Sequence, residues 1–422
     1  MSEIFDIADN AKKVRIASRV VAQLTTTKKN SLLIAMATAI EASSQEIIAE
    51  NSKDIAGGKE KGLSDAMLDR LLLNEQRIAD IANAIREIVN LTDPVGDIAN
   101  LSLRPNGMQV GKMRIPLGVI AMIYEARPNV TAEAAALCIK SGNAVILRGG
   151  SEAIHSNIAL ARCLHQVLDE QGIDKNIVSV IPDTSRAVIE QLLKQSDSID
   201  LVIPRGGEGL IRYVTDNSRI PVIQHFKGVC HLFIDKYADL TKAVNILVNG
   251  KTQRPSACNA IETLLVHQDI AEQFLPLAAQ AFENAIKPAF VKVHACQKSR
   301  QYFPAAELAT DDDFHAEYLA QEIAVKIVPS FAEAIAHINE FTSDHTEVIV
   351  SQDTSRTQAF IRQINSSVVM ANASSRFSDG GQLGLGSEIG ISTSKLHAYG
   401  PMGLASLTTE KFVVIGDGQI RE

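Results

Sequence analysis

The chain has 422 residues, 46% of them hydrophobic and 21% charged, enough apolar material for about two or three folded domains. Its net charge of −8 argues against a nucleic-acid binder, because a phosphate backbone calls for a dense Lys/Arg surface. No apolar run reaches the roughly 18 residues that span a bilayer, and MSEIFDIADNAKK at the start lacks the apolar stretch of a signal peptide.

Residues 3–91 read as helices. Apolar residues recur at helical spacing from Ile34 to Ile55 and from Gln76 to Val89. Thr25-Thr26-Thr27 and Ser64-Asp65 are candidate N-caps, and Asp93-Pro94 ends the region. Lys12-Lys13 and Lys28-Lys29 read as solvated helix faces rather than a binding patch. Leu101–Leu117 then alternates around Asn106-Gly107, the strongest short-range signal for a hairpin.

From Gly118 a βα alternation begins. Strand candidates are Val119–Ile123, Ala144–Leu147, Ile177–Ile181, Leu201–Ile203 and Val222–Ile223. Helical patterns separate them at Ala132–Lys140, Glu152–Gln171, Ser185–Lys194 and Gly207–Asn217. This pattern predicts an α/β fold with a doubly wound, Rossmann-type parallel sheet. A second α/β unit starts near Cys230. Its strands are His231–Ile234, Thr263–Val266, Ala324–Val328 and Val348–Val350, and its helices Leu240–Asn249, Ile270–Ala285 and Phe331–Phe341. Lys411–Ile415 reads as a late strand.

The five cysteines include no CxxC, and no Cys/His cluster has zinc spacing. The expectation is therefore reduced thiols, a cytoplasmic protein and no metal. Cys138 and Cys163 read as core thiols, Cys230 as structural, and Cys296 lies outside any clear element. Cys258 differs. It sits in a polar turn, GKTQRPSACNAIETLLVH, that leads into an apolar strand. A reactive thiolate needs access, hydrogen-bond donors and nearby positive charge, for which Lys251, Arg254 and the turn's N–H groups are candidates.

No P-loop exists, and Gly384–Gly390 has the wrong spacing for a dinucleotide fingerprint. Two strand-to-helix turns suit a phosphate better, Arg148-Gly149-Gly150-Ser151 and Arg205-Gly206-Gly207-Glu208. Each offers an arginine and a free helix N-terminus, and each also reads as an ordinary βα turn.

The order of these pieces resembles the aldehyde dehydrogenase superfamily and, within it, the γ-glutamyl phosphate reductase family. The matching segments are YEARPNVT (Tyr124–Thr131), SGNAVILRGGS (Ser141–Ser151), TQRPSACNAIETLLV (Thr252–Val266) and the long run from Asn372 to Leu404. One departure is visible: the family usually reads HARGP where this chain has Tyr399.

The resemblance implies an aldehyde-dehydrogenase-like fold. Residues 1–101 and 117–226 would bind NADPH, residues 227–405 would be catalytic, and residues 102–116 with 406–422 would form an oligomerisation hairpin and tail. It implies a homo-oligomer, with transient contact to glutamate 5-kinase. It further implies that Cys258 attacks γ-glutamyl phosphate and that Asn129 and the Cys258 N–H hold the oxyanion. Asn129 taken alone also reads as a turn residue after proline. Arg148 stands where an arginine favours the 2′-phosphate of NADPH. Glu317 matches a nicotinamide-ribose glutamate, with Glu322 as a near competitor, and Arg376 and Lys395 are candidates for the substrate's α-carboxylate. Hydrolytic aldehyde dehydrogenases carry a glutamate base in the stretch matching Pro221–Ile234, which here holds no carboxylate. The expected reaction is therefore reduction of the acyl phosphate, in proline biosynthesis. A hydrolytic aldehyde dehydrogenase is the rival enzyme, and a nucleotide-binding interaction protein the non-enzymatic one. Aspartyl and acetylglutamyl phosphate reductases are disfavoured, because residues 1–30 lack a Gly-rich Rossmann turn.

Overall fold

Residues 5–285 and 290–421 are described in the computed structural model. They fall into two units. The first is Met1–Gln224 with Leu385–Gly390 and Met402–Glu422, and the second is His225–Gly384 with Ile391–Pro401. Residues 3 and 4, where the expected helical region begins, lie outside the described residues.

The helices of the first unit start where capping residues stand. Thr25 accepts from the Lys28 N–H and Ser64 from the Met67 N–H, each satisfying an orphan donor of the first turn. The apolar run from Ile34 to Ile55 is two helices rather than one, Thr26–Ala42 and Ser44–Glu60, bent by 67° at Ser43. The first half buries an apolar stripe of Leu32, Leu33, Met36 and Ile40, whereas the second buries Ile47 with Asn51, Asp54 and Gly58. No single described helix is long and apolar enough to cross a membrane. Lys29 overturns the expectation of a solvated face. It is fully buried, with Nζ 2.9 Å from Asp93 Oδ2 and 3.3 Å from the Lys140 carbonyl.

A four-stranded parallel sheet forms this unit's centre, in the order Val178–Val180, Ala144–Gly149, Val119–Tyr124, Leu201–Arg205. Its two middle strands are buried throughout, which explains their unbroken apolar runs. Val222–Ile223 is not a strand of this sheet: Val222 makes only an isolated bridge to Val202. The hairpin forms from Ile98–Leu103 and Gln109–Pro116, with Gly107 at φ +86° in its turn. Thr408–Ile415 pairs antiparallel to the second hairpin strand and completes a separate three-stranded sheet.

The second unit is built on seven parallel strands. Their order is Glu307–Leu308, Lys292–Ala295, Glu322–Val328, Ile261–His267, Cys230–Ile234, Thr346–Val350, Val368–Ala371. Alternate residues feed the two faces. Leu232, Leu264 and Val348 join one cluster with Phe274, while Phe233, Leu265 and Ile349 join another with Ile338 and Phe360. The short strands Lys292–Ala295, Glu307–Leu308 and Val368–Ala371 and the helix Thr354–Gln363 have no counterpart among the predicted elements. That helix buries only Phe360 and so shows no apolar period.

Candidate active site

Cys258 is half-buried in the turn between helix Leu240–Thr252 and strand Ile261–His267. Its backbone is clamped from two sides. A Cβ placed on Gly228 would fall 2.1 Å from the Cys258 carbonyl oxygen, so only glycine permits that approach. The Cys230 thiol donates to the same oxygen at 3.3 Å. The next residue is held as well: Asn259 Nδ2 donates to the Ser378 carbonyl at 3.0 Å, and Ser375 Oγ donates to the Asn259 carbonyl at 2.6 Å. These contacts fix the thiol's position by backbone rather than by long side chains.

The other cysteines stand apart from this arrangement. Burial raises the thiol pKa of Cys138, Cys163 and Cys230. Cys296 is pushed down, despite opposing burial, by hydrogen bonds from Ser299 and Ile327.

Of the two cations expected near the turn, Lys251 is engaged elsewhere, and Arg376 joins Arg254 there. Lys251 is fully buried and its Nζ lies 2.6 Å from Glu262 Oε2, so its charge is spent on that carboxylate. Burial pushes Glu262 up to about 7 and Lys251 down. Arg376 instead feels Arg254, Asp379 and the Cys258 thiol, after burial, which lowers it most. Its Nε donates to Gln253 Oε1 at 2.7 Å, and its buried Nη1 has no hydrogen-bond partner among the described residues. An unfilled guanidinium donor suits a carboxylate or phosphate oxygen. Lys395 is exposed, with Nζ 5.9 Å from the Tyr399 ring centroid, and Tyr399 donates its hydroxyl to the Asn365 carbonyl at 2.5 Å.

Glu317 lies half-buried in the loop after Asp311–Phe314 and acts electrostatically on Glu262 and Cys230. Its competitor Glu322 is already engaged, 2.5 Å from His294 Nε2 and 3.1 Å from Lys292 Nζ.

In the first unit, Asn129 opens helix Asn129–Lys140 and its Nδ2 donates to Glu133 Oε1 at 3.1 Å. Arg148 is the penultimate residue of its strand, and its Nη2 donates to the carbonyls of Thr184 and Ser185. Burial lowers its pKa, while Glu152, Glu125 and Asp183 act the other way. A Cβ on Gly149 would lie 2.1 Å from Nδ2 of the buried Asn157, whereas one on Gly150 would meet only the carboxylate end of Glu152, 2.2 Å away, which can swing aside. Ser151 begins a 3-10 turn, Ser151–Ala153. Gly206 likewise meets Glu125 Oε2 at 2.4 Å, but nothing lies within 4 Å of a Cβ on Gly207. The Gly207 N–H, at the head of helix Glu208–Asn217, donates to Glu125 Oε2 at 3.1 Å. The carboxylate of Glu125 thus occupies the N–H that a phosphate would use, although the other side of Gly207 is open. Arg205 lies 3.9 Å from Glu388.

Two histidines stand beside the cysteine: His225, which as a residue of Pro221–Ile234 read as packed or on the surface rather than as a base, and His345, which the sequence reading passed over. His225, half-buried, and His345, fully buried, place ring nitrogens within 4.8 Å of one another and of Cys258 Sγ. No local motif joins these three positions, so spacing alone gave no signal. His231, the other histidine of Pro221–Ile234, is fully buried and bound to Glu347 Oε2 at 2.9 Å.

A profile of the aldehyde dehydrogenase family matches residues 2–289. The γ-glutamyl phosphate reductase of Colwellia psychrerythraea is 77% identical over 418 residues, 99% of each chain. That of Idiomarina loihiensis is 59% identical over 99% of this chain and 98% of the relative. The crystal structure of the Thermotoga maritima γ-glutamyl phosphate reductase superposes with a TM-score of 0.96 at 42% identity, covering 99% of this chain and all of that one. On these matches and the clamped cysteine turn, the chain belongs to the aldehyde dehydrogenase family, in its γ-glutamyl phosphate reductase branch.

Proposed function

We propose that this chain reduces L-glutamyl 5-phosphate to L-glutamate 5-semialdehyde, with release of phosphate, in the cytosolic synthesis of proline. The observation that carries this reading is the 77% identity, over 99% of both chains, to a relative named for that reaction. The site's chemistry supports it. Cys258 Sγ attacks the acyl carbon, a C–S bond forms, and the C–O bond to phosphate breaks. NADPH, when bound, supplies the hydride that reduces the thioester. The C–S bond then breaks, returning the thiolate and freeing the aldehyde. Asn129 Nδ2 and the Cys258 N–H are the proposed oxyanion donors. Arg376 and Lys395 are the proposed partners of the α-carboxylate.

For the cofactor, the proposed holders are Arg148, Gly149, Gly150 and Ser151 at one turn, Arg205, Gly206 and Gly207 at the other, and Glu317. The preference for NADPH rests on Arg148. The hydrolytic alternative is disfavoured because Pro221–Ile234 offers no carboxylate to activate water, help typically worth about 10² to 10⁴ in rate. The chain is also proposed to act as a homo-oligomer that meets glutamate 5-kinase transiently, since the kinase's product is an unstable acyl phosphate.

The test runs the reaction backwards with glutamate 5-semialdehyde, NADP⁺ or NAD⁺, and phosphate. NADPH should form only when phosphate is present, and faster than NADH under matched conditions. Steady NADPH production without phosphate, with glutamate accumulating, would move the chain to the hydrolytic class.

A further inference from the structure

The group of His225, Cys258 and His345 offers more than a nucleophile. Its three ligand atoms come from separate places in the second unit, yet all lie within 4.8 Å of one another. The two imidazole rings have centroids 5.0 Å apart, tilted by 55°.

His345 is the fixed member. It is fully buried, and its Nδ1 lies 2.7 Å from Thr346 Oγ1. Thr346 gives its own proton to Ser378 Oγ at 2.8 Å, so its oxygen accepts from the imidazole. The network therefore assigns the His345 proton to Nδ1 and leaves the lone pair on Nε2. That Nε2 is buried and has no hydrogen-bond partner among the described residues. A buried acceptor left unmade costs the desolvation of its lone pair. A hydrogen bond from one ring nitrogen that fixes the other as a ligand is the usual support of a metal-binding histidine.

We infer that His225, Cys258 and His345 form a reversible, inhibitory site for a borderline-soft divalent cation of the zinc type. One thiolate and two imidazoles make three of the four ligands of a tetrahedral zinc, with water as the fourth. Hard cations such as Mg²⁺ are disfavoured, since the trio offers no oxygen ligand. At bond lengths of about 2.0–2.3 Å, ligand atoms sit about 3.5 Å apart. From separations of up to 4.8 Å, the trio must therefore close by up to about 1.3 Å. Side-chain rotation of the half-buried His225 and Cys258 supplies this, while His345 stays in place. The positive charge of Arg254 and Arg376 near the turn opposes a cation, which keeps binding reversible. A metal-held thiolate cannot attack an acyl carbon, so occupancy stops catalysis. The inhibition, though not the binding, rests on the reading of Cys258 as the nucleophile.

The test adds Zn²⁺ alone to the metal-free full-length protein. Alkylation of Cys258 by iodoacetamide is followed by mass spectrometry of its peptide, alongside reductase activity. One Zn²⁺ should bind per chain, slow alkylation at least tenfold and abolish activity, and a chelator should reverse both. Mg²⁺ should do neither. His225→Ala should weaken Zn²⁺ protection at least tenfold while leaving the unprotected thiol open to alkylation. As a check that needs no histidine variant, Co²⁺ should give thiolate-to-metal charge-transfer absorption that is absent from Cys258→Ser. Unchanged alkylation in Zn²⁺, no such absorption, or full protection in folded His225→Ala would overturn the site. Protection with undiminished activity would uphold the site and overturn the nucleophile. No protection, with Cys258→Ser inactive, would do the reverse.

Discussion

At Gly228 a single hydrogen decides where the cysteine sits. A methyl group there overlaps the Cys258 carbonyl at 2.1 Å, and backbone has no rotamer by which to yield. Overpacking of this kind costs typically about 1–3 kcal/mol. Gly228→Ala should therefore cut turnover more than tenfold by shifting the turn, with a modest fall in urea midpoint. Wild-type turnover in the folded variant would show that the clamp is not needed. His337 supplies a second residue-scale expectation. It is buried against Phe314 and Phe341, and Lys326 Nζ lies 3.0 Å from its Nδ1. Burial first, then the charges of His231 and Lys326, push its pKa from 6.5 down to about 2. A depressed folded value means its contribution is present above pH 6.5 and is lost as pH falls toward about 2. Stability at pH 5 should be about 2 kcal/mol lower than at pH 7 from this group, and His337→Gln should flatten the slope. An unchanged slope in urea titrations would remove His337 as the cause. The turn that holds Cys258 was legible at this scale because a polar, Gly- and Pro-marked stretch running into an apolar strand is a local pattern. Lys251 was misread because sequence does not say which face of a helix's last turn is buried. The nearness of His225 and His345 to the cysteine was not legible, because only the folded chain brings these three distant positions together.

The elements show where periodicity serves and where it fails. The strands of the two sheet centres are apolar on both faces and helices cover them, so they stand out as uninterrupted runs. Edge strands such as Glu307–Leu308 and Val368–Ala371 are short and not fully buried; Glu307–Leu308 has no apolar run, and Val368–Ala371 is an apolar run of only four residues. The break at Ser43 was missed because Ile47, Ile48 and Ile55 continue the apolar spacing beyond it, although the second helix buries mainly polar residues. What holds the first of those helices is also polar. Lys29 reaches Asp93, which in turn accepts from Thr26 Oγ1 at 2.9 Å and the Val95 N–H at 3.0 Å. One carboxylate thus ties the start of helix Thr26–Ala42 to the loop that follows helix Glu75–Asn90. Removing one partner of a buried pair leaves an uncompensated charge, at about 3–5 kcal/mol. Lys29→Ala should lower the unfolding free energy by that order in a urea titration. Lys29→Ala with Asp93→Ala should recover part of it. A loss below about 1 kcal/mol would mean the pair contributes no more than a surface one.

For the whole molecule, the three-stranded sheet is the feature that a single chain leaves unfinished. Every residue of Ile98–Leu103 is exposed, and Leu103 is 73% accessible. On Thr408–Ile415, Phe412 is 72% and Val414 55% accessible. Apolar side chains this open, on a sheet with strands at both edges, invite pairing with another copy. The Asn106-Gly107 turn made the hairpin legible from sequence. The third strand was readable only as a late strand, because its pairing spans most of the chain. The expectation is a homo-oligomer that buries these residues, by closed symmetry in which the same patch serves both copies. Light scattering at micromolar concentration should give a mass above the 45.6 kDa of one chain. Leu103→Asp with Phe412→Asp should shift that mass toward one chain while circular dichroism stays unchanged, because neither side chain belongs to a buried core. Charges desolvated at an interface weaken association strongly, whereas on a free surface they cost little. A wild-type protein that scatters as a single chain, or a double variant whose mass does not fall, would remove this sheet from the assembly.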